Sequence, residues 1–144
     1  MIRNEIHINF PALSENESLA RMCASAFFAQ FNPTVEEMAD IRTAVSEAVT
    51  NAVIHAYNSR PLPVYMDMYR EDMTLKIVIR DTGKGIENIE EAMQPFFTTM
   101  PGEERSGMGF SVMEAFTDSL TVKSFSGIGT TVTMTKTVKR NDDE

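Results

Sequence analysis

TAVSEAVTNAVIHAYN, residues Thr43 to Asn58, places an acid and an amide inside what otherwise reads as a buried helix. Ala44, Val45, Ala48, Val49, Ala52, Val53 and Ala56 recur at the spacing of one helix face packed on a core. Glu47 and Asn51 lie four residues apart, one turn above the other beside that apolar stripe, and His55 continues the row. A carboxylate in that position costs desolvation energy unless a polar or charged group meets it. Taken alone, an E-x-x-x-N pair reads first as the solvated edge of an amphipathic helix, so the rest of the chain has to decide.

The 144 residues fit one domain, 1–144, with residues 139–144 expected to fray. A content of 42% hydrophobic and 24% charged residues is that of a globular chain, and no apolar run approaches the roughly 20 residues of a membrane span. The opening MIRNEIHINF lacks the layout of a signal peptide, so a cytoplasmic protein without a membrane partner is expected. The one cysteine, Cys23, falls among Leu19, Met22, Ala26 and Phe27 and reads as a small core residue. A net charge of −8 without a basic cluster argues against direct nucleic-acid binding and leaves room for a basic protein partner. Eleven methionines read first as adaptable core filler.

Around the central helix the chain alternates patterns. Ile6, Ile8 and Phe10 alternate with His7 and Asn9 as in a half-buried strand, with His7 on the polar side as plain surface. Ser14 and Glu17 form a capping-box pattern, and Leu19, Met22, Cys23, Ala26, Phe27 and Gln30 then give helix one a core face from about Glu15 to Phe31. Its other face carries Ser18, Arg21, Ser25 and Phe28, either a solvated surface or a contact patch. Thr34 and Glu37 make a second capping box that starts the long helix ending near Asn58. Val64–Arg70 and Thr74–Asp81 form a hairpin turning at Glu71 and Asp72, and Ser119–Phe125 with Thr130–Thr137 form another.

Parity within the second strand puts Asp81 on the same face as Leu75, Ile77 and Ile79, at the moment the chain runs into Thr82, Gly83, Lys84, Gly85. An acid on the buried side before Gly-x-Gly is a second unusual polar group, though a strand ending in a glycine turn would look the same. Gly107, Met108 and Gly109 precede another helical pattern, where backbone N–H groups can face an anion. Between the two glycine motifs, residues 94–106 carry Pro95, Thr98, Thr99, Pro101, Gly102 and Arg105, the composition of a lid.

In this order the motifs resemble the Bergerat-fold ATPases shared by gyrase, Hsp90 and histidine kinases. Within that group SEAVTNAVIHAY, PFFTT followed by ERSGMGF, and NEIHINFPALSENESLAR look like the serine-kinase anti-sigma factors of sporulating bacteria, over about Asn4 to Thr137. The resemblance implies an α+β, two-layer sandwich with a mixed, mainly antiparallel sheet and helices packed on one face. It implies ATP and Mg²⁺ as cofactors, with Glu47 as catalytic base and Asn51 as the metal ligand. Asp81, Gly83, Gly85, Thr98, Thr99, Arg105, Ser106, Gly107, Met108, Gly109 and Thr130 would surround ATP. The partners implied are a sigma factor of RNA polymerase, an anti-sigma factor antagonist phosphorylated on serine, and a second copy in a homodimer, with Arg21 as a partner contact. The chemistry agrees: a carboxylate at Asp81 accepts from the amino group of adenine and meets a carbonyl in guanine. A non-catalytic, nucleotide-dependent binding module is the alternative, and the ATPase domain of a larger machine is a third reading.

Overall fold

Residues 1–58, 60–93 and 109–139 are described by the computed structural model. Five strands form one sheet: β1 (Arg3–Pro11), β2 (Pro63–Glu71), β3 (Thr74–Asp81), β4 (Ser119–Phe125) and β5 (Gly129–Thr137). Their spatial order is β1-β2-β3-β5-β4, and each of the four junctions is antiparallel. Between them come α1 (Glu15–Ala29), α2 (Val35–Thr50), the short α3 (Ile89–Ala92) and α4 (Gly109–Phe116). Alternation dictates the layers: Met66, Met68, Leu75, Ile77, Val132 and Met134 point inward and are buried. The opposite face is polar and aromatic, with Arg80 stacked 4.2 Å from the Tyr65 ring centroid and Lys76 over Tyr69. Methionine is core filler here, at Met66, Met68, Met113 and Met134, each essentially inaccessible.

The apolar stripe of the central helix is realised as expected, with Ile41, Ala44, Val45, Ala48 and Val49 buried and α1 and α4 packed on either side. Thr34 caps it through both halves of the capping box: its hydroxyl accepts from the Glu37 amide and its own amide donates to the Glu37 carboxylate. The expected cap at the start of α1 does not form. Ser14 is itself helical in backbone and makes no side-chain cap.

The burying face of α1 also differs from the one read in the sequence. Ala20, Ala24, Phe27, Phe28 and Phe31 are buried, whereas Leu19 and Met22 stay 50% and 68% exposed. Apolar residues cover so much of this helix that two stripes satisfy the helical period. The stripe with alanines at two of its turns allows close approach to α2, and the aromatic residues at its end fill the gap to the sheet, where Phe28 and Phe31 pack with ring centroids 5.3 Å apart. Phe28 is therefore core rather than contact surface, and Ser25 is buried against α2.

Candidate active site

The central helix does not run on regularly to Asn58. After Thr50 it widens into a π turn over Asn51–Ala56, marked by the Tyr57 amide donating to the Ala52 carbonyl at 3.1 Å. Such wide turns are rare and concentrate at functional sites. Asn51 stands at the junction, half-exposed, one turn from the half-exposed Glu47. Gly109, which opens α4, comes against both. A Cβ on Gly109 would lie 3.1 Å from Asn51 Oδ1 and 3.4 Å from Glu47 Oε2, so the amide and the carboxylate converge on one wall. The π turn then ends at Ala56 and Tyr57, on which the loop after β3 is moulded.

Asp81 ends β3 on the inner face, 8% exposed. Its Oδ1 accepts the Gly83 amide at 2.9 Å and the Thr130 amide at 3.3 Å. Burial pushes its carboxyl above the ordinary aspartate value, and the amides of Gly83 and Thr130, with the Arg80 charge, pull partly back. Both amides are received by the same oxygen, so among the described residues Oδ2 keeps its lone pairs for a further donor. Thr130 is buried beside it, paired across the sheet with Asp81 and bonded through Oγ1 to Ser124 Oγ at 2.8 Å. Gly83 must be glycine because a Cβ would stand 2.4 Å from the Ala56 carbonyl oxygen. Gly85 adopts φ +76° and lies against the Phe125 carbonyl, which seats the loop on the β4–β5 turn.

Sequence and structure thus agree in bringing Glu47, Asn51 and Gly109 together, and Asp81, Gly83, Gly85 and Thr130 together. Thr98, Thr99, Arg105, Ser106, Gly107 and Met108 lie outside the described residues. Arg21 is placed differently from the exposed position expected of it. It is half-buried between α1 and α2, with its guanidinium donating to Ser46 Oγ at 3.2 Å, Glu17 Oε1 at 3.4 Å and Ser18 Oγ at 3.4 Å. Ser46 immediately precedes Glu47. Arg42 returns the contact by donating to Ser25 Oγ at 2.9 Å, so each helix offers an arginine to a serine on the other.

Sequence reasoning missed Tyr57, which is fully buried with its hydroxyl in use, and Ser124, whose Oγ accepts the Ile86 amide at 2.7 Å. A tyrosine closing a run of Ala and Val was the available signal for the first. Nothing in the sequence marks the second.

The donor set suits magnesium. Among the described residues no cluster of three His, Cys, Asp or Glu forms a closed metal cage. Asn51 Oδ1 beside the Glu47 carboxylate is the sparse oxygen donation that Mg²⁺ accepts when phosphates and water complete its shell.

A model of the histidine kinase-like ATPase domain matches residues 10–136. The anti-sigma F factor of Anoxybacillus flavithermus is 54% identical over 94% of this chain and 93% of its own length. The chain belongs to the anti-sigma F factor family. Further family members show the same extent of likeness: that of a Geobacillus species is 52% identical over 97% of both chains, and that of Bacillus licheniformis 50% over the same shares. Solved structures agree on the fold. The RsbU and RsbW domains of a Mycobacterium tuberculosis protein superpose with a TM-score of 0.70 at 20% identity, covering 96% of this chain and 33% of that longer one. The catalytic domain of the histidine kinase ThkA gives 0.59 at 13% identity, covering 96% and 97%. The histidine kinase-like fold inferred from motif order is therefore the fold of this family member, and no helix among the described residues is long and apolar enough to cross a membrane.

Proposed function

We propose that this protein is an ATP-dependent protein serine kinase and anti-sigma factor, which sequesters a sporulation sigma factor and phosphorylates a serine of the antagonist that releases it. The observation that carries the reading is the convergence of Glu47, Asn51 and Gly109 on one wall, with a buried, hydrogen-bond-ready carboxylate at Asp81. Asp81 would recognise the base through Oδ2, and Asn51 would hold Mg²⁺. The metal, when bound, offsets the negative charge of the phosphates. Glu47 would take the proton of the acceptor hydroxyl as the serine oxygen bonds to the γ-phosphorus and the bond to the ADP oxygen breaks. Gly109, at the first turn of α4, leaves the space in which those groups meet.

The partner side rests on the family relatives, which bear the name anti-sigma F factor, and on charge. A chain of net charge −8 has few cations to offer, and Arg21, although it leans on Ser18, Ser46 and the Glu17 carboxylate, keeps part of its side chain exposed to a partner. The protein would act in the cytoplasm as a homodimer. The deciding experiment is Glu47→Gln: ATP binding should persist while phosphoryl transfer to the antagonist falls by about 10²–10⁴-fold. Full transfer by this variant would remove Glu47 as the base, whereas absence of transfer by the unmodified protein would reduce it to a nucleotide-dependent binding module. Arg21→Ala, with calorimetry against each protein partner in the presence of ATP, checks the contact surface. Unchanged affinity for both partners would return Arg21 to a helix-pairing role.

A further inference from the structure

We infer that Tyr57 is a positioning residue for base selectivity, its hydroxyl fixing the turn at Asp81, Thr82 and Gly83 on which recognition of adenine depends. This rests on the reading of Asp81 as the acceptor of the adenine amino group. Tyr57 is fully buried, and a side chain needed there only for packing would be served by phenylalanine without the burial of a polar atom. Instead the hydroxyl is used twice. It donates to the Pro63 carbonyl at 2.6 Å and accepts the Thr82 amide at 2.6 Å, with Thr82 Oγ1 a further 3.2 Å contact.

The loop after β3 is pinned at successive amides. Thr82 N–H goes to Tyr57, Gly83 N–H to the Asp81 carboxylate, and Lys84 N–H to the Ala56 carbonyl at 3.2 Å. Two of these three anchors come from residues 56 and 57, where the π turn that begins at Asn51 ends. The base side and the metal side of the nucleotide therefore hang on one short piece of backbone. The peptide between Asp81 and Thr82 is confined from the other side as well, since the Asp81 carbonyl lies so close to Gly129 that a Cβ there would stand 2.2 Å away. A carboxylate separates an amino donor from a carbonyl only while its lone pair stays aimed, because a mobile acceptor can turn from the wrong base and take water. Losing the tyrosine anchor frees the Thr82 amide and with it the aim of Asp81.

The test is Tyr57→Phe, with calorimetry using Mg-ATP and Mg-GTP and thermal unfolding without nucleotide. The expected result is an ATP affinity lowered about tenfold, the weight of one buried hydrogen bond, with GTP affinity within about twofold of wild type, so that selectivity itself falls. A variant that melts earlier but keeps the wild-type ratio of ATP to GTP affinity overturns the inference, because a purely structural tyrosine would behave so. A wild type that does not prefer ATP would instead refute the adenine reading of Asp81. Amide exchange at Thr82 in the unmodified protein gives an independent check that needs no folded variant. ATP should slow that exchange at least about tenfold more than GTP does, and equal protection by the two overturns the inference.

Discussion

Replacing Gly83 by alanine is the sharpest test of how the loop after β3 is built. Gly83 does not have the positive φ that would reserve its position for glycine, so the added methyl acts by volume alone. It would stand 2.4 Å from the Ala56 carbonyl oxygen, 2.7 Å from its carbonyl carbon and 2.8 Å from its Cβ, whereas ordinary contact begins near 3.4 Å. The loop must therefore retreat from the π turn by about 1 Å, because the two nearest of these atoms are backbone and the third is fixed to it, so none can swing aside as a long side chain can. The retreat breaks the bond from the Lys84 amide to the Ala56 carbonyl, about 1 kcal/mol, and overpacking adds about 1–3 kcal/mol to the loss of stability. Because Asp81 moves with Gly83, to which it is bonded, ATP affinity should fall by about tenfold or more. A displacement of 1 Å at a reacting site costs about 10²-fold in rate, so phosphoryl transfer should fall further than binding. Urea denaturation gives the stability, calorimetry the affinity, and a single-turnover assay the transfer rate. Gly127→Ala is the control: its φ of +79° costs about 1 kcal/mol, its Cβ meets nothing within 4 Å, and ATP binding should not change. If Gly83→Ala bound ATP as wild type does, with stability intact, the loop would not be moulded on Ala56 and the account of the site would fail.

Asp81 predicts a pH dependence whose sign follows from its raised pKa. Burial makes Asp81 easier to protonate in the nucleotide-free protein than in the unfolded chain, so the stability it contributes is full below the ordinary carboxylate pKa and is lost as pH rises through the raised value. Binding runs the other way: affinity for adenosine, which has no phosphate to titrate, should drop as pH falls through that raised value. Asp81→Asn should bind weakly and show no such step, and a step surviving in the variant would assign the titration elsewhere. Gly109→Ala pushes on the flexible ends of Asn51 and Glu47 rather than on backbone, so transfer should fall about tenfold with the fold intact. An unaltered turnover rate would remove Gly109 from the reacting wall. Lys136, whose Nζ holds Asp40 Oδ2 at 3.0 Å and the Phe116 carbonyl at 3.1 Å, ties α2, α4 and β5 together. Lys136→Ala leaves a largely buried carboxylate unpaired and should cost about 3 kcal/mol in urea denaturation, most of it recovered in the double variant with Asp40→Ala.

Periodicity carried the sequence reading wherever one face was unambiguous. Alternation along β3 located Asp81 on the inner face, and the Ala/Val stripe of α2 fixed where Glu47 and Asn51 could be. It failed on α1, where two apolar stripes satisfy the same period and the choice between Leu19 and Ala20 is made by how closely α2 approaches. It could not show the π turn, because widening one turn leaves the composition unchanged, and the sequence alone read the helix straight to Asn58. Cross-strand partners were equally invisible: His7 reads as plain surface, yet it lies between Asp67 and Glu5, each at 2.7 Å, which raise its pKa. Asp67 reaches it through the register of β1 on β2, information that no local window contains.

The pairing of Asp81 with Thr130 has a consequence for the life of the molecule as well as for its ligand. One amide held by the carboxylate is two residues away, while the other lies 49 residues further along the chain. The hydrogen bonding of this carboxylate is thus completed only after β5 has docked on β3, a late event because so long an excursion must close first. Any ligand held at Asp81 would therefore clamp the C-terminal hairpin to the sheet, and the free energy opposing its peeling would grow with the logarithm of ligand concentration over its dissociation constant. If the nucleotide binds there as proposed, its supply would help set how long the chain survives proteolysis, and a cell short of ATP would clear the protein faster than one that is well fed.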